Sequence, residues 1–270
     1  MRVSFSTGTF YQRSLRYSLT LARDLGYDGV ELVLGPGYLL RGAQPLRDAV
    51  ASVGAPVLSV HPPFYPLPGW PRQSSEAIPR LAQVTRDVDA ELFVVHLPDF
   101  VSLTSPRAQR FTSSLRAGVE RGAGAARIGL ETTQYNKRTR RYTLDDLEQL
   151  ARFAGERDCG VTFDTCHAGA NGQDILACYE ALRPVLCNVH LSDVVWRGGK
   201  PVTHRLPGEG ELPLDALLRA LARDRYEGLV TLEIHPLEAA VLSTKRARRR
   251  LKKALDFVRL HSAPPGGERQ

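Results

Sequence analysis

Residues 161–167 read VTFDTCH. Val161, Thr162 and Phe163 suit a buried strand, and an acid, a hydroxyl, a thiol and an imidazole follow at once. Three readings of the polar end compete. Cys166 and His167 form a nucleophile and its base, Asp164 and His167 are metal ligands, or the polar residues cap an ordinary turn. The stretch does not choose, so the choice rests on what the rest of the chain places beside it.

A short apolar run ending in polar residues recurs along the chain. Strands are predicted at Val3–Ser6, Gly29–Val33, Val57–His61, Leu92–His96, Ile128–Glu131, Val161–Asp164, Cys187–Leu191 and Val230–Glu233. Amphipathic helical segments alternate with them, among them Ser14–Leu25, Ser75–Val88, Pro106–Ala125, Leu144–Glu156, Ile175–Leu182 and Pro213–Arg223. Gly26, Gly54 and Gly160 follow such segments, where a left-handed cap is expected. Alternating β and α units imply a parallel sheet with right-handed crossovers. Eight units in 270 residues fit an α/β fold, a closed (β/α)8 TIM barrel of one domain over residues 1–262, with a disordered tail at 263–270. An open doubly wound sheet is the alternative, but no GxGxxG or P-loop favours it.

Composition narrows the class. Cys159, Cys166, Cys178 and Cys187 include no CxxC pair and read as reduced thiols of a cytoplasmic protein. MRVSFSTGTF shows no signal-peptide core, and no apolar run approaches the length of a membrane span. The net charge of +7 is one patch, because residues 245–253, KRARRRLKK, hold seven basic residues. Without them the chain carries 29 basic and 29 acidic residues. Leu251, Ala254, Leu255 and Val258 follow helical spacing, so the patch reads as the solvated face of a final helix. Attraction of phosphate or nucleic acid is the competing reading.

The polar residues gather at the C-terminal strand ends: Glu31, His61, His96, Glu131, Asp164 with His167, His190 with Asp193, and Glu233 with His235, while the seventh loop adds His204. Six of the seven histidines fall in this set. A barrel brings those ends to one face, where active sites of the fold lie. Buried imidazoles and carboxylates need partners, and a divalent cation serves both. A metal site is therefore expected. Cys166 is expected to pack beneath the rim and not to act as a nucleophile.

The motifs GYDGVEL (26–32), VHPP (60–63), VVHLP (94–98), LETT (130–133), FDTCHAGANGQD (163–174), HLSD (190–193), LPGEGEL (206–212) and LEIHP (232–236) together resemble the xylose isomerase-like barrel superfamily. That group holds sugar and sugar-phosphate isomerases and epimerases and also endonuclease IV, the family 2 abasic-site endonucleases. The resemblance implies a divalent metal (Mn, Co, Mg or Zn) on Glu131, Asp164, His190 and Glu233. It further implies proton transfer by Glu131 and Glu233 through an enediolate, with His167 and Arg197 on the substrate. In the endonuclease-like members His61, His96 and Glu131 would hold a second metal. His167 and His204 would hold a third with an acid at position 202, where this chain has Val202.

Further expectations attach to loops. Arg197, Lys200 and Arg205 offer cations to a phosphate or other anion. Glu31 at its strand end, with Tyr65 and Trp70 in the loop PPFYPLPGWP (62–71), is expected to touch substrate. The primary expectation is thus a metal-dependent isomerase or epimerase of a sugar or sugar phosphate, with one metal or two. The alternatives are an endonuclease IV-like phosphodiesterase acting on abasic DNA or a small phosphoester, and a barrel that binds without turnover. A homo-oligomer is expected of this group, although no interface is legible in the sequence.

Overall fold

Apolar β-branched runs bounded by helices form strands where they are predicted, to within one residue at either end. The computed structural model describes residues 1–99, 102–121, 126–134 and 143–263. Its strands are β1 (Arg2–Ser6), β2 (Gly29–Val33), β3 (Val57–His61), β4 (Leu92–His96), β5 (Arg127–Glu131), β6 (Gly160–Asp164), β7 (Leu186–Leu191), β8 (Asp193–Arg197), β9 (Lys200–Arg205) and β10 (Leu229–Leu232). All but β8 and β9 run parallel and close into an eight-stranded barrel, in which β1 pairs with both β2 and β10. The expected barrel is therefore the fold.

The helices are α1 (Leu15–Leu25), α2 (Pro36–Arg41), α3 (Gln44–Val53), α4 (Ser74–Asp87), α5 (Pro106–Arg121), α6 (Leu147–Gly155), α7 (Thr165–Ala170), α8 (Ile175–Leu182), α9 (Leu214–Arg223) and α10 (Thr244–His261). Local chemistry sets their ends. Ser14 Oγ accepts from the Tyr17 N–H at α1, and Gly26 (φ 83°) and Gly54 (φ 71°) close α1 and α3 in the left-handed region. Gly160 does not act as such a cap. It opens β6, and Asp158 (φ 53°) is the left-handed residue before it. A glycine is needed at 160 for space, since a Cβ there would lie 2.8 Å from Cys187 Cβ. The end of the 106–125 segment and the tail from residue 264 onward lie outside the described residues.

Side chains alternate across each strand, so one set faces the helices and the other fills the barrel. Val30, Phe93, Val95, Val161, Phe163, Val189 and Val230 belong to the large apolar layer under the helices. Inside, the filling changes along the axis. Leu58, Leu92, Val94, Cys187 and Leu229 make a small separate apolar cluster. Above it Ser4 and Thr231 share a hydrogen bond of 2.9 Å, and Thr231 Oγ1 donates to Asn188 Oδ1 at 3.1 Å. The next inward positions are Glu31, Glu131, Asp164, His190 and Glu233, all buried. The sequence thus spends apolar residues at one mouth and ionisable ones at the other.

On α10, Ala247, Leu251, Ala254, Leu255 and Val258 are buried, as the helical spacing requires. Four of the seven basic residues face acids: Arg248 meets Asp24 (3.2 Å), Arg250 and Lys253 meet Glu209 (2.8 and 2.6 Å), and Lys252 meets Asp256. The pairs with Asp24 and Glu209 tie the helix to the rest of the molecule, and all four neutralise much of the patch for which attraction of nucleic acid was the competing reading. Among the described residues no helix is long and apolar enough to cross a membrane.

Candidate functional site

Asp164 answers the question raised by residues 161–167. Its Oδ1 accepts from the His167 N–H at 2.8 Å and caps α7. Its Oδ2 is buried and has no hydrogen-bond partner. One oxygen therefore builds the turn while the other is left over beside His190, whose Nδ1 lies 4.0 Å away. Cys166 is fully buried, 3.6 Å from His204, and burial together with the charge of Asp164 pushes its thiol well up. A thiol so placed is a poor nucleophile.

His190 is the hub of the ionisable layer. Its Nδ1 lies 3.0 Å from Glu131 Oε1 and 3.3 Å from Glu233 Oε2, and its Nε2 lies 3.1 Å from Glu31 Oε2. Burial pulls the imidazole down, but the charges of Glu31 and Glu233 and the hydrogen bond to Glu131 outweigh it and raise His190 well above its ordinary value. Conversely, burial pushes Glu131 up, while hydrogen bonds from His190, His61 and His96 hold it well below the usual carboxylate range. Glu233 is likewise held low, against burial, by His190 and His204.

Glu131 divides its oxygens. Oε1 faces His190, while Oε2 lies 3.6 Å from His61 Nε2 and 3.1 Å from His96 Nε2. The two histidines approach each other at 3.3 Å. His61 Nδ1 donates to the Pro62 carbonyl (2.6 Å) and His167 Nδ1 to the Thr132 carbonyl (2.9 Å), so each ring keeps Nε2 for other partners. Donor atoms of Glu131, Asp164, His190 and Glu233 all lie within 4.8 Å of one another, as do those of His61, Glu131 and His190, and of Cys166, His167 and His204. Carboxylates with an imidazole, and an orphaned carboxylate oxygen among them, fit a divalent cation.

Above the four-residue group lies a cavity of about 320 Å³ lined by Thr9, Tyr65, His167, His204, Glu233 and His235, with His61, His96 and Glu131 in its wall. Other expected residues stand elsewhere. Glu31, expected to touch substrate, is fully buried beneath His190, accepting from Ser59 Oγ at 2.9 Å. Arg197 and Lys200 sit at the exposed tip of the β8–β9 hairpin, beside the turn of Gly198 (φ 55°) and Gly199 (φ 72°), and are not among the residues that line the cavity. Arg205 is engaged by Glu238. Trp70 lines an adjoining groove instead of the cavity.

Asp193 turns out to be an anchor. Its carboxylate accepts from the backbone N–H groups of Val194, Gly208, Gly210 and Leu212 at 2.9–3.0 Å. This explains why HLSD and LPGEGEL occur together. The hairpin and the anchor escaped the sequence reading, although the Gly-Gly pair between alternating residues was its signal.

Residues 19–259 match the family model described as xylose isomerase-like TIM barrel. The chain belongs to this family. Within the xylose isomerase-like group it is similar to fructoselysine 3-epimerase of Escherichia coli O157:H7, 24% identical over 84% of this chain and 90% of the relative. Its fold is similar to that of D-psicose 3-epimerase from Clostridium cellulolyticum H10 with D-tagatose (TM-score 0.73, 17% identity, 98% and 100% of the two chains). It is also similar to that of the IOLI protein with a binding zinc atom (TM-score 0.71, 19% identity, 97% and 99%). The family context is thus that of sugar epimerases and isomerases.

Proposed function

We propose that this xylose isomerase-like barrel is a divalent-metal-dependent isomerase or epimerase of a keto-sugar. Glu131, Asp164, His190 and Glu233 would hold the ion. When bound, manganese, cobalt, magnesium or zinc would polarise the substrate's carbonyl and hydroxyl oxygens. The observation that carries the reading is the convergence of two ionised glutamates and the orphaned Asp164 oxygen on one imidazole at the floor of a cavity.

Glu131 projects from β5 and Glu233 from the residue after β10, with β6 and β7 between them in the barrel. A substrate in the cavity therefore meets carboxylates from two directions. One glutamate, ionised, takes the proton from the carbon beside the carbonyl, and the other, protonated beforehand from solvent, returns a proton to the enediolate, so the two carboxyl groups end the turnover with their protonation states exchanged. The imidazole contacts that hold both carboxylates low fit either glutamate for the accepting role. His167, with Nε2 free, serves a substrate hydroxyl. The test follows deuterium uptake from heavy water into a ketose panel by NMR, alongside metal counting per chain. Metal-dependent exchange that is lost in Glu233→Gln supports the reading, and exchange retained in that variant refutes it.

A second reading rests on the divided carboxylate of Glu131. With His61 and His96 on its Oε2, a two-ion phosphodiesterase is the alternative. Two or more zinc ions per chain with chelator-sensitive nicking of abasic duplex would establish it. One ion and no nicking would exclude it.

A further inference from the structure

Next to the cavity lies a larger groove of about 850 Å³, between the loop after β3 and the start of α4. Phe64, Tyr65 and His96 line both, so the two form one cleft with two rooms. Ligand sites span roughly 300–1,000 Å³. The room holding the glutamates is at the small end of that range and its neighbour near the large end.

Their linings differ in kind. The small room is ionisable. The large one is walled by the prolines of residues 62–71, Leu67, Trp70 and Leu81, with Arg72 as its cation and no carboxylate among its described lining residues. The wall is also braced. Five prolines restrict its backbone, Trp70 N–H donates to the Leu67 carbonyl at 3.0 Å, and Arg80 donates to the Gly69 carbonyl at 2.6 Å. Phe64 marks the threshold, packed edge-on against His61 with ring centres 4.9 Å apart. A braced room walled by prolines and aromatic rings that adjoins a sugar-sized one lined by histidines and glutamates suits a ligand with two dissimilar halves.

We infer that the substrate is a keto-sugar carrying an apolar, aromatic aglycone, with the sugar among the glutamates and the aglycone against Trp70 and the prolines. This rests on the keto-sugar reading of the glutamate cavity. The lining offers no carboxylate to an ammonium group, so a cationic appendage fits less well than an aryl one.

The experiment uses the full chain reconstituted with metal. It compares D-fructose, its conjugate 1-deoxy-1-(p-tolylamino)-D-fructose and fructoselysine by deuterium uptake from solvent. The aryl conjugate is expected to exceed free fructose in kcat/KM by roughly 10- to 100-fold, chiefly through KM, as burial of an aromatic group allows. Trp70→Ala should lower that ratio about tenfold. Ser74→Trp, which fills the groove from α4, should lower it too. Equal kcat/KM values, or preference for the lysine conjugate, overturn the inference. If no ketose exchanges, the keto-sugar reading fails by itself and the groove is judged by binding. In a Trp196→Phe background Trp70 is the remaining tryptophan of the two. Saturable quenching of its fluorescence by p-nitrophenyl β-D-glucopyranoside, not reproduced by the methyl glucoside, supports an aryl subsite. Absence of saturable quenching refutes it.

Discussion

Replacing Glu31 by Gln tests whether a residue that never meets the cavity controls what happens there. Glu31 Oε2 accepts from His190 Nε2 at 3.1 Å and from Ser59 Oγ at 2.9 Å, while its Oε1 is buried without a partner. The carboxylate fixes the proton on Nε2 and leaves Nδ1 for an ion on the side of Glu131 and Glu233. A carboxamide has two poor options. Its oxygen can keep the His190 bond, leaving its N–H donors where Oε1 found nothing, or its NH2 can face His190 and force the wrong tautomer. A charge-assisted buried hydrogen bond contributes about 1.5–3 kcal/mol, and loss of such a support weakens metal binding about 10- to 100-fold. Competition against a chelator of known affinity reads this directly, with circular dichroism reporting the fold. Metal affinity within twofold of the parent, in a folded variant, would refute the tautomer argument.

Other perturbations follow from the same geometry. Asp193→Ala strands four backbone N–H groups, and a loss of about 3 kcal/mol or more is expected in chemical denaturation, with the 206–212 loop exposed to protease. Because His190 is held protonated above its ordinary pKa, ion binding at Nδ1 must release a proton. Metal affinity should therefore rise with pH through and above the region near 6.5, and calorimetry in buffers of different ionisation enthalpy should register the proton; no buffer dependence would contradict it. A Cβ at Gly8 would run into the Phe64 ring, so Gly8→Ala should cost about 1–3 kcal/mol and raise KM, measured by thermal melts and steady-state kinetics. Cys166→Ala should retain activity, since the thiol is buried and raised; loss of turnover in a folded variant would restore it as a candidate nucleophile.

The barrel was legible because parallel strands buried on both faces read as apolar runs, and because His and Glu after such runs have few structural uses. That placed His61, His96, Glu131, Asp164, His190 and Glu233 together. Depth was harder to read. Glu31 and Glu131 both point into the barrel, yet Glu31 sits two residues before the end of β2 and lies under the hub, while Glu131 ends β5 and reaches the cavity, a difference of strand stagger. The register shifts between β2 and β3 and between β6 and β7 are part of that stagger and leave little trace in one sequence. Asp193 looked like another rim acid because its partners are backbone amides, which carry no side-chain signature. Arg197 and Lys200 were expected at the site from the family resemblance and from where barrels bind phosphate, and they stand exposed at a two-glycine turn whose presence the sequence reading did not convert into a hairpin.

The ionisable layer belongs to no contiguous part of the chain. Glu31 comes from the second strand, Glu131 from the fifth, and Glu233 follows the last, which must pair with the first to close the barrel. During synthesis most of the protein has left the ribosome before the final carboxylate exists, and closure of such long-range pairings comes late in folding. Until then His190 lacks one of its counter-charges and the four-residue group proposed to hold the ion is incomplete. Ion capture would thus be an event of maturation, completed only when the two ends of the barrel have met.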